Sequence, residues 1–190
     1  MPPTATPSRR AAALPPEERR AAIIEATRPL LVEHGEMVTT RQIAEAAGIA
    51  EGTIFRVFAD KDELLSATLE AALDPAPIEE ALASIDPDAP FEARLVEATA
   101  IYQRRVVDLW QLVSNLGSKL REQAARPLSE SVALAAIFEP AREHLTVEPR
   151  VAERLLRVLT LSVTHPMLAA EPMGPAEIVA LLLRGIEVRP

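Results

Sequence analysis

No cysteine occurs among the 190 residues. That removes disulfides, thiolate nucleophiles and zinc–thiolate sites together, and it fits a reducing cytoplasm. Aromatic residues make up only 3% of the chain and glycines number six. No glycine-rich phosphate loop and no Gly-x-Ser-x-Gly elbow can be found. His34, His144 and His165 lie too far apart in sequence to form a metal signature. No apolar run approaches the roughly 20 residues that span a bilayer. The opening stretch, MPPTATPSRRAAALPPEERR, lacks the continuous apolar core of a secretory leader. These absences argue against an enzyme, a bound cofactor, a metal centre or a membrane partner. They leave a cytoplasmic chain that binds something.

What is present is alanine, leucine, arginine and glutamate, with 17 prolines placed near helix-sized boundaries. Strand-forming residues are thinly spread, so the expected fold class is all-α. The net charge is −8, which runs against the basic balance usual in nucleic-acid binders. The acidity is uneven: residues 1–65 carry eight basic and ten acidic side chains, while residues 66–190 carry 12 and 18. Any contact with DNA then depends on where a few arginines sit and not on bulk charge.

Residues 1–16 are rich in proline, alanine and threonine and predict a flexible arm, with Arg9 and Arg10 as solubilising charges or as followers of a nucleic-acid backbone. A first helix is expected from Glu17 to His34, its apolar face at Ala22, Ile23, Ala26, Leu30 and Leu31, with a kink at Pro29 and a stop at Gly35. Thr39 and Gln42 form a capping box that opens a second helix ending at Ala47, where Gly48 supplies a left-handed turn. A third helix is expected over 51–58. A second capping box at Asp60–Glu63 opens a fourth helix to Leu73. After the Asp74–Pro77 linker, the longest helix is predicted over 91–123 from a seam at Leu95, Thr99, Tyr102, Val106, Leu109, Val113 and Leu116. Further helices follow at about 128–144, 149–165 and 175–187.

Thr39 to Phe58 is the most informative stretch. A helix-turn-helix needs a small residue where its helices cross, a left-handed residue in the turn, and apolar anchors on both sides. Ala44, Gly48 and Ile54 meet those needs, with Ile43, Ala47, Ile49 and Val57 completing a small core. Glu51, Gly52, Thr53, Phe55 and Arg56 are left near the start and outer face of the second helix, where such helices meet the major groove. The other readings of this segment are an ordinary helical hairpin, a small helical enzyme and an adaptor that binds protein.

The run Arg20–Leu65, RAAIIEATRPLLVEHGEMVTTRQIAEAAGIAEGTIFRVFADKDELL, resembles the DNA-binding domain of the tetracycline-repressor (TetR) family. The resemblance rests on Arg20-x-x-Ile23, on Thr39-x-x-x-Ile43-Ala44-x-x-Ala47-Gly48-Ile49, and on Gly52-Thr53-Ile54-Phe55-x-x-Phe58-x-x-Lys61-x-x-Leu64. It implies a helix-turn-helix DNA-binding domain over 17–60, a helical sensing and dimerisation domain over 61–190, and a transcriptional regulator, a repressor released from a double-stranded operator by a small-molecule effector. It further implies phosphate contacts from Thr39, Thr40 and Lys61, base or backbone contacts from Arg41, Thr53, Phe55 and Arg56, and a DNA-proximal Arg20. Phe55 stands where the family usually has tyrosine, Val57 where histidine is common, and Ala50 where a serine cap is usual.

In the second part, Tyr102, Val106, Trp110, Gln111 and Ser114 are the expected effector residues, with Phe91 and Phe138 as further aromatic lining. Gln103 is placed on the solvent side. Helices 149–165 and 175–187 carry apolar stripes wider than one packing face requires, which predicts a homodimer through residues 149–187.

Overall fold

A computed structural model describes residues 15–125 and 129–186. The arm over 1–14, with Arg9 and Arg10, lies outside the described residues. Helix α1 runs Pro16–His34, α2 Thr40–Ala46, α3 Glu51–Ile54, α4 Lys61–Leu73, α5 Ala76–Ala83, α6 Phe91–Ser114, α7 Ser118–Ala124, α8 Val132–Phe138, α9 Pro149–Thr164 and α10 Pro175–Ile186. Among the described residues there is no strand, in agreement with the all-α expectation.

Local rules account for the first elements. Gly35 ends α1 with φ 56° and ψ −145°, and its amide donates to the Leu31 carbonyl; that backbone region is open to glycine almost alone. Gly48 adopts φ 65° in the turn after α2. The Thr39–Gln42 box forms with both of its reciprocal bonds. At the start of α4 the Asp60 carboxylate accepts from the Glu63 amide, and Glu63 in turn accepts from the Ala59 amide. Ala50 offers no side chain to cap α3, and that helix is correspondingly short, passing into a turn after Ile54 where the sequence predicts helix to Phe58. Helix α1 continues through Pro29 without a break.

The long helix predicted over 91–123 is two helices, α6 and α7, separated at Asn115–Gly117. The Asn115 side-chain amide leaves the helix to donate to the Val32 carbonyl at 2.6 Å, and the Gly117 amide donates to Glu36 Oε1 at 2.9 Å. Both ties run to the end of α1 and the 3-10 turn Gly35–Met37 that follows it. Backbone contact there is close: a Cβ on Gly35 would lie 2.3 Å from the Asn115 carbonyl oxygen. The helix predicted near 128–144 is α8 followed by a 3-10 segment Glu139–His144, because Pro140 cannot donate the next helical hydrogen bond.

Buried side chains fall into two clusters. The first holds Ile23, Leu31, Ile43, Ile54, Phe58, Leu64, Leu69, and also Leu112, Leu116 and Leu120. The second holds Leu82, Leu95, Tyr102, Leu134, Phe138, Leu156, Val179 and Leu182. The expected boundary at residue 60 therefore does not separate the cores. Helix α4, the last turns of α6 and all of α7 complete the first one. Helix α6 is common to both, packing on α1 and α7 and on α5, α8, α9 and α10.

Candidate nucleic-acid interface

Helices α1, α2 and α3 and the start of α4 form one tight unit. Ile43, Ala44, Ile54 and Phe58 are buried, whereas Thr39, Arg41, Glu51, Gly52, Phe55 and Arg56 are exposed. Phe55 keeps 51% of its surface accessible, a large apolar side chain that the domain does not use for its own packing. Thr53, beside it, is half-buried. An open groove of about 400 Å³ runs between α1 and the turn of the helix pair, lined by Arg19, Ala22, Ile23, Ala47, Ile49, Thr53 and Arg56.

The predicted contact residues divide into those free to meet a ligand and those engaged within the protein. Arg41, Phe55 and Arg56 belong to the first kind. Thr39 Oγ1 is engaged in its capping box, 2.8 Å from Gln42 Oε1 and 3.2 Å from the Gln42 amide. The Thr40 hydroxyl donates to Glu51 Oε1 at 2.5 Å. A hydroxyl has a single proton to give, so in this arrangement Thr40 offers a phosphate only its backbone N–H.

Lys61 is half-buried, and its ammonium donates to the carbonyls of Glu36 and Val38 at 2.7 and 3.0 Å. Two of its three protons thus hold the chain segment that leads into α2, and one remains. Arg20 is likewise engaged: its guanidinium lies 4.3 Å from the centroid of the Phe58 ring and reaches the Val57 carbonyl at 3.4 Å and Glu63 Oε1 at 3.5 Å. It ties α1 to the far end of the helix-turn-helix. The sequence marks both residues as facing a ligand; their tertiary partners come from segments more than 20 residues away and leave no local pattern.

The five expected effector residues are not brought together. Tyr102 is buried in the second core. Its hydroxyl pairs with the Ser131 side chain, and burial pushes the phenol above its ordinary value of 10.0 against the lowering pull of Ser131 and Arg157. Val106 and Trp110 are half-buried, and the Trp110 ring meets His165 edge-on at 6.2 Å. Gln111 and Ser114 are exposed, and the Ser114 hydroxyl donates to the Gln111 carbonyl of its own helix. Gln103, expected in solvent, instead donates to Thr164 Oγ1 at 3.0 Å and to the Met173 carbonyl at 2.8 Å. Two residues the sequence reading passed over lie beside Tyr102. Glu153 and Arg157, 1% and 7% exposed, form an ion pair at 2.8 Å inside the second core.

Residues 23–68 match the model of bacterial regulatory proteins, tetR family. A 59-residue stretch is 46% identical to the HTH-type transcriptional regulator HbdR of Aromatoleum sp. (strain CIB), covering 30% of this chain and 26% of that protein. The similarity thus spans about a quarter of that relative. Solved structures agree over almost the full length. E. coli NemR is 21% identical with a TM-score of 0.60, covering 90% of this chain and 98% of that one. NalD of Pseudomonas aeruginosa is 24% identical with a TM-score of 0.53, covering 91% and 98%. SmeT of Stenotrophomonas maltophilia is 20% identical with a TM-score of 0.56, covering 89% and 90%. Residues 23–68 thus carry the DNA-binding domain of the tetR family of bacterial regulatory proteins, and the chain as a whole has the fold of these solved structures.

Proposed function

We propose that this chain is a cytoplasmic homodimeric repressor that releases its operator when a small molecule enters the second core. The observation that carries the DNA half is the exposed set Arg41, Phe55 and Arg56 on a unit whose interior is otherwise filled. Side chains left in water on a rigid helix-turn-helix are what the major groove and its phosphates require. Repression is supported by NalD and SmeT, each described as a repressor of a multidrug efflux pump.

Dimerisation is supported by Leu155 and Val158 on α9 and Leu181 on α10, which remain 40%, 45% and 48% exposed although their helices also supply buried residues. A second copy would cover them and set two recognition helices about one DNA turn apart, roughly 34 Å or more. Of the effector residues, Tyr102, Val106 and Trp110 keep their place as the wall beside which a ligand would enter, while Gln111 and Ser114 stay outside it. The signal would pass along α6 to the Asn115 and Gly117 ties on α1, and reciprocity requires that operator DNA weaken effector binding by the same factor.

The test is a retarded-migration titration of the full chain against a library of duplexes, with light scattering on the same sample and a small-molecule panel read by the fluorescence of Trp110, the one tryptophan in the chain. Retention of a subset of duplexes by a dimer, and their release by a compound that alters the fluorescence, is the expected result. A monomer at micromolar concentration that retards no duplex overturns it.

A further inference from the structure

The recognition helix opens on an acid, Glu51, in an interface that must approach a polyanion. The side chain is exposed, and among the described residues no basic side chain pairs with it. Its partner is Thr40 in the first turn of α2, whose hydroxyl donates to Oε1. That bond fixes the carboxylate in front of α3 and leaves Oε2 without a partner among the described residues. The next residue is Gly52, with open space where a Cβ would be, so its neighbour puts no side chain between Oε2 and an approaching duplex.

We infer that Glu51 reads a base, and that the base is cytosine. The inference rests on the DNA-binding reading above and adds a specificity to it. An ionised carboxylate only accepts hydrogen bonds. Phosphate oxygens, guanine O6 and N7, and thymine O4 are acceptors and repel it. The donors on the major-groove edge are cytosine N4 and adenine N6, and adenine places its N7 acceptor beside N6, while cytosine has no second acceptor there. Glu51 thus disfavours three of the four bases and any approach to the backbone. Thr40 supplies the preorganisation: a carboxylate already held loses less side-chain freedom on meeting its base. The hydroxyl that the family resemblance assigns to phosphate is, in this chain, the part that aims the reader.

The experiment is selection from random duplexes with the full-length dimer, followed by sequencing, for the native chain and for E51A, E51Q and T40V. The native chain should enrich cytosine at one position of each half-site by about tenfold over the other bases. E51A should flatten that position and leave the others unchanged. E51Q should move it toward adenine, whose N6 and N7 match a carboxamide. T40V should keep cytosine at roughly a third of the native enrichment, because the carboxylate loses its hold. The inference is overturned if E51A selects the same bases as the native chain at every position, or tightens all duplexes by one common factor. A uniform loss in T40V across all sequences would also overturn it, since Thr40 would then be a backbone contact. Failure of the native chain to enrich any duplex sinks the DNA-binding reading itself, and shows before any substitution is made.

Discussion

In the first core the buried polar residues are Thr27 and Thr68, and each gives its hydroxyl to the carbonyl four residues back in its own helix. The second core also holds Tyr102, Ser131, Glu153 and Arg157, which are satisfied by one another across α6, α8 and α9. The two regions hold together differently. The first depends on shape and on a backbone that passes close to itself at Gly35. The second depends on every polar partner being present, since an unpaired buried charge is far costlier than a missing methyl group. On the proposed function, a DNA-reading unit kept rigid beside a unit that responds to an effector gains from that division.

The sharpest way to break the contrast is Glu153→Gln, which strands the Arg157 guanidinium in the second core and should cost about 3–5 kcal/mol in chemical denaturation. Replacing the pair by Leu and Met together should recover most of that loss, and a double substitution as unstable as the single would mean the pair is needed for more than charge balance. Next come Leu112→Ala and Leu95→Ala, on one helix but in different cores. Each should cost roughly 3 kcal/mol, and at temperatures where both remain folded Leu112→Ala alone should weaken retention of DNA. Equal effects on DNA would erase the distinction between the cores.

Gly35→Ala should cost about 2–3 kcal/mol, because a side chain there meets both a forbidden backbone angle and the Asn115 carbonyl. Gly48→Ala has the angle but no clash and should cost roughly 1 kcal/mol, so thermal melts of the two separate angle from contact. Lys61→Met keeps the stem and drops both carbonyl bonds, a loss of about 1 kcal/mol. If phosphate contact were the main task of Lys61, its salt-dependence slope in DNA binding would drop by about one unit while stability held.

The smallest effect is a pH readout. Tyr102 is the one tyrosine of the chain, and its phenol is raised in the folded state above 10.0. A raised folded value means its contribution is complete below about pH 10 and is lost as the pH climbs through the folded value, since the unfolded chain ionises first. Phenolate absorbance should appear at higher pH in the native protein than in the unfolded chain, and Tyr102→Phe should flatten the alkaline fall in stability.

How far the sequence foretold this structure follows the range of the interactions. Gly35, Gly48 and the Thr39–Gln42 box are set by residues three or four apart, and all were legible. The exposed face at Arg41, Phe55 and Arg56 was legible too, because the anchors around it have helical spacing. The break at Asn115–Gly117 was not: the apolar seam continues through Leu116 and Leu120, and the partners that stop the helix, Val32 and Glu36, are some 80 residues away. Glu153 and Arg157 have the spacing of a surface ion pair, and only the packing around them puts them inside. The expected effector residues share one helix, and neighbours on a helix surface can belong to different cores.

The arrangement of α6 has a consequence for recombination. The helix-turn-helix unit is not a continuous stretch of chain, since Leu112, Leu116 and Leu120 belong to its core as fully as Leu31 or Ile54 does. A hybrid regulator joined in the linker after α4 would inherit a reading head with its floor missing, and a donor body presenting three leucines to the wrong surface. A graft that works must carry residues 109–124 along with the head, or must change both sides of that seam together. A single cut in the linker after α4 strands Leu112, Leu116 and Leu120 with the other parent, and a single cut in the middle of α6 divides both cores, so only an exchange that moves 16–73 and 109–124 together keeps each core whole.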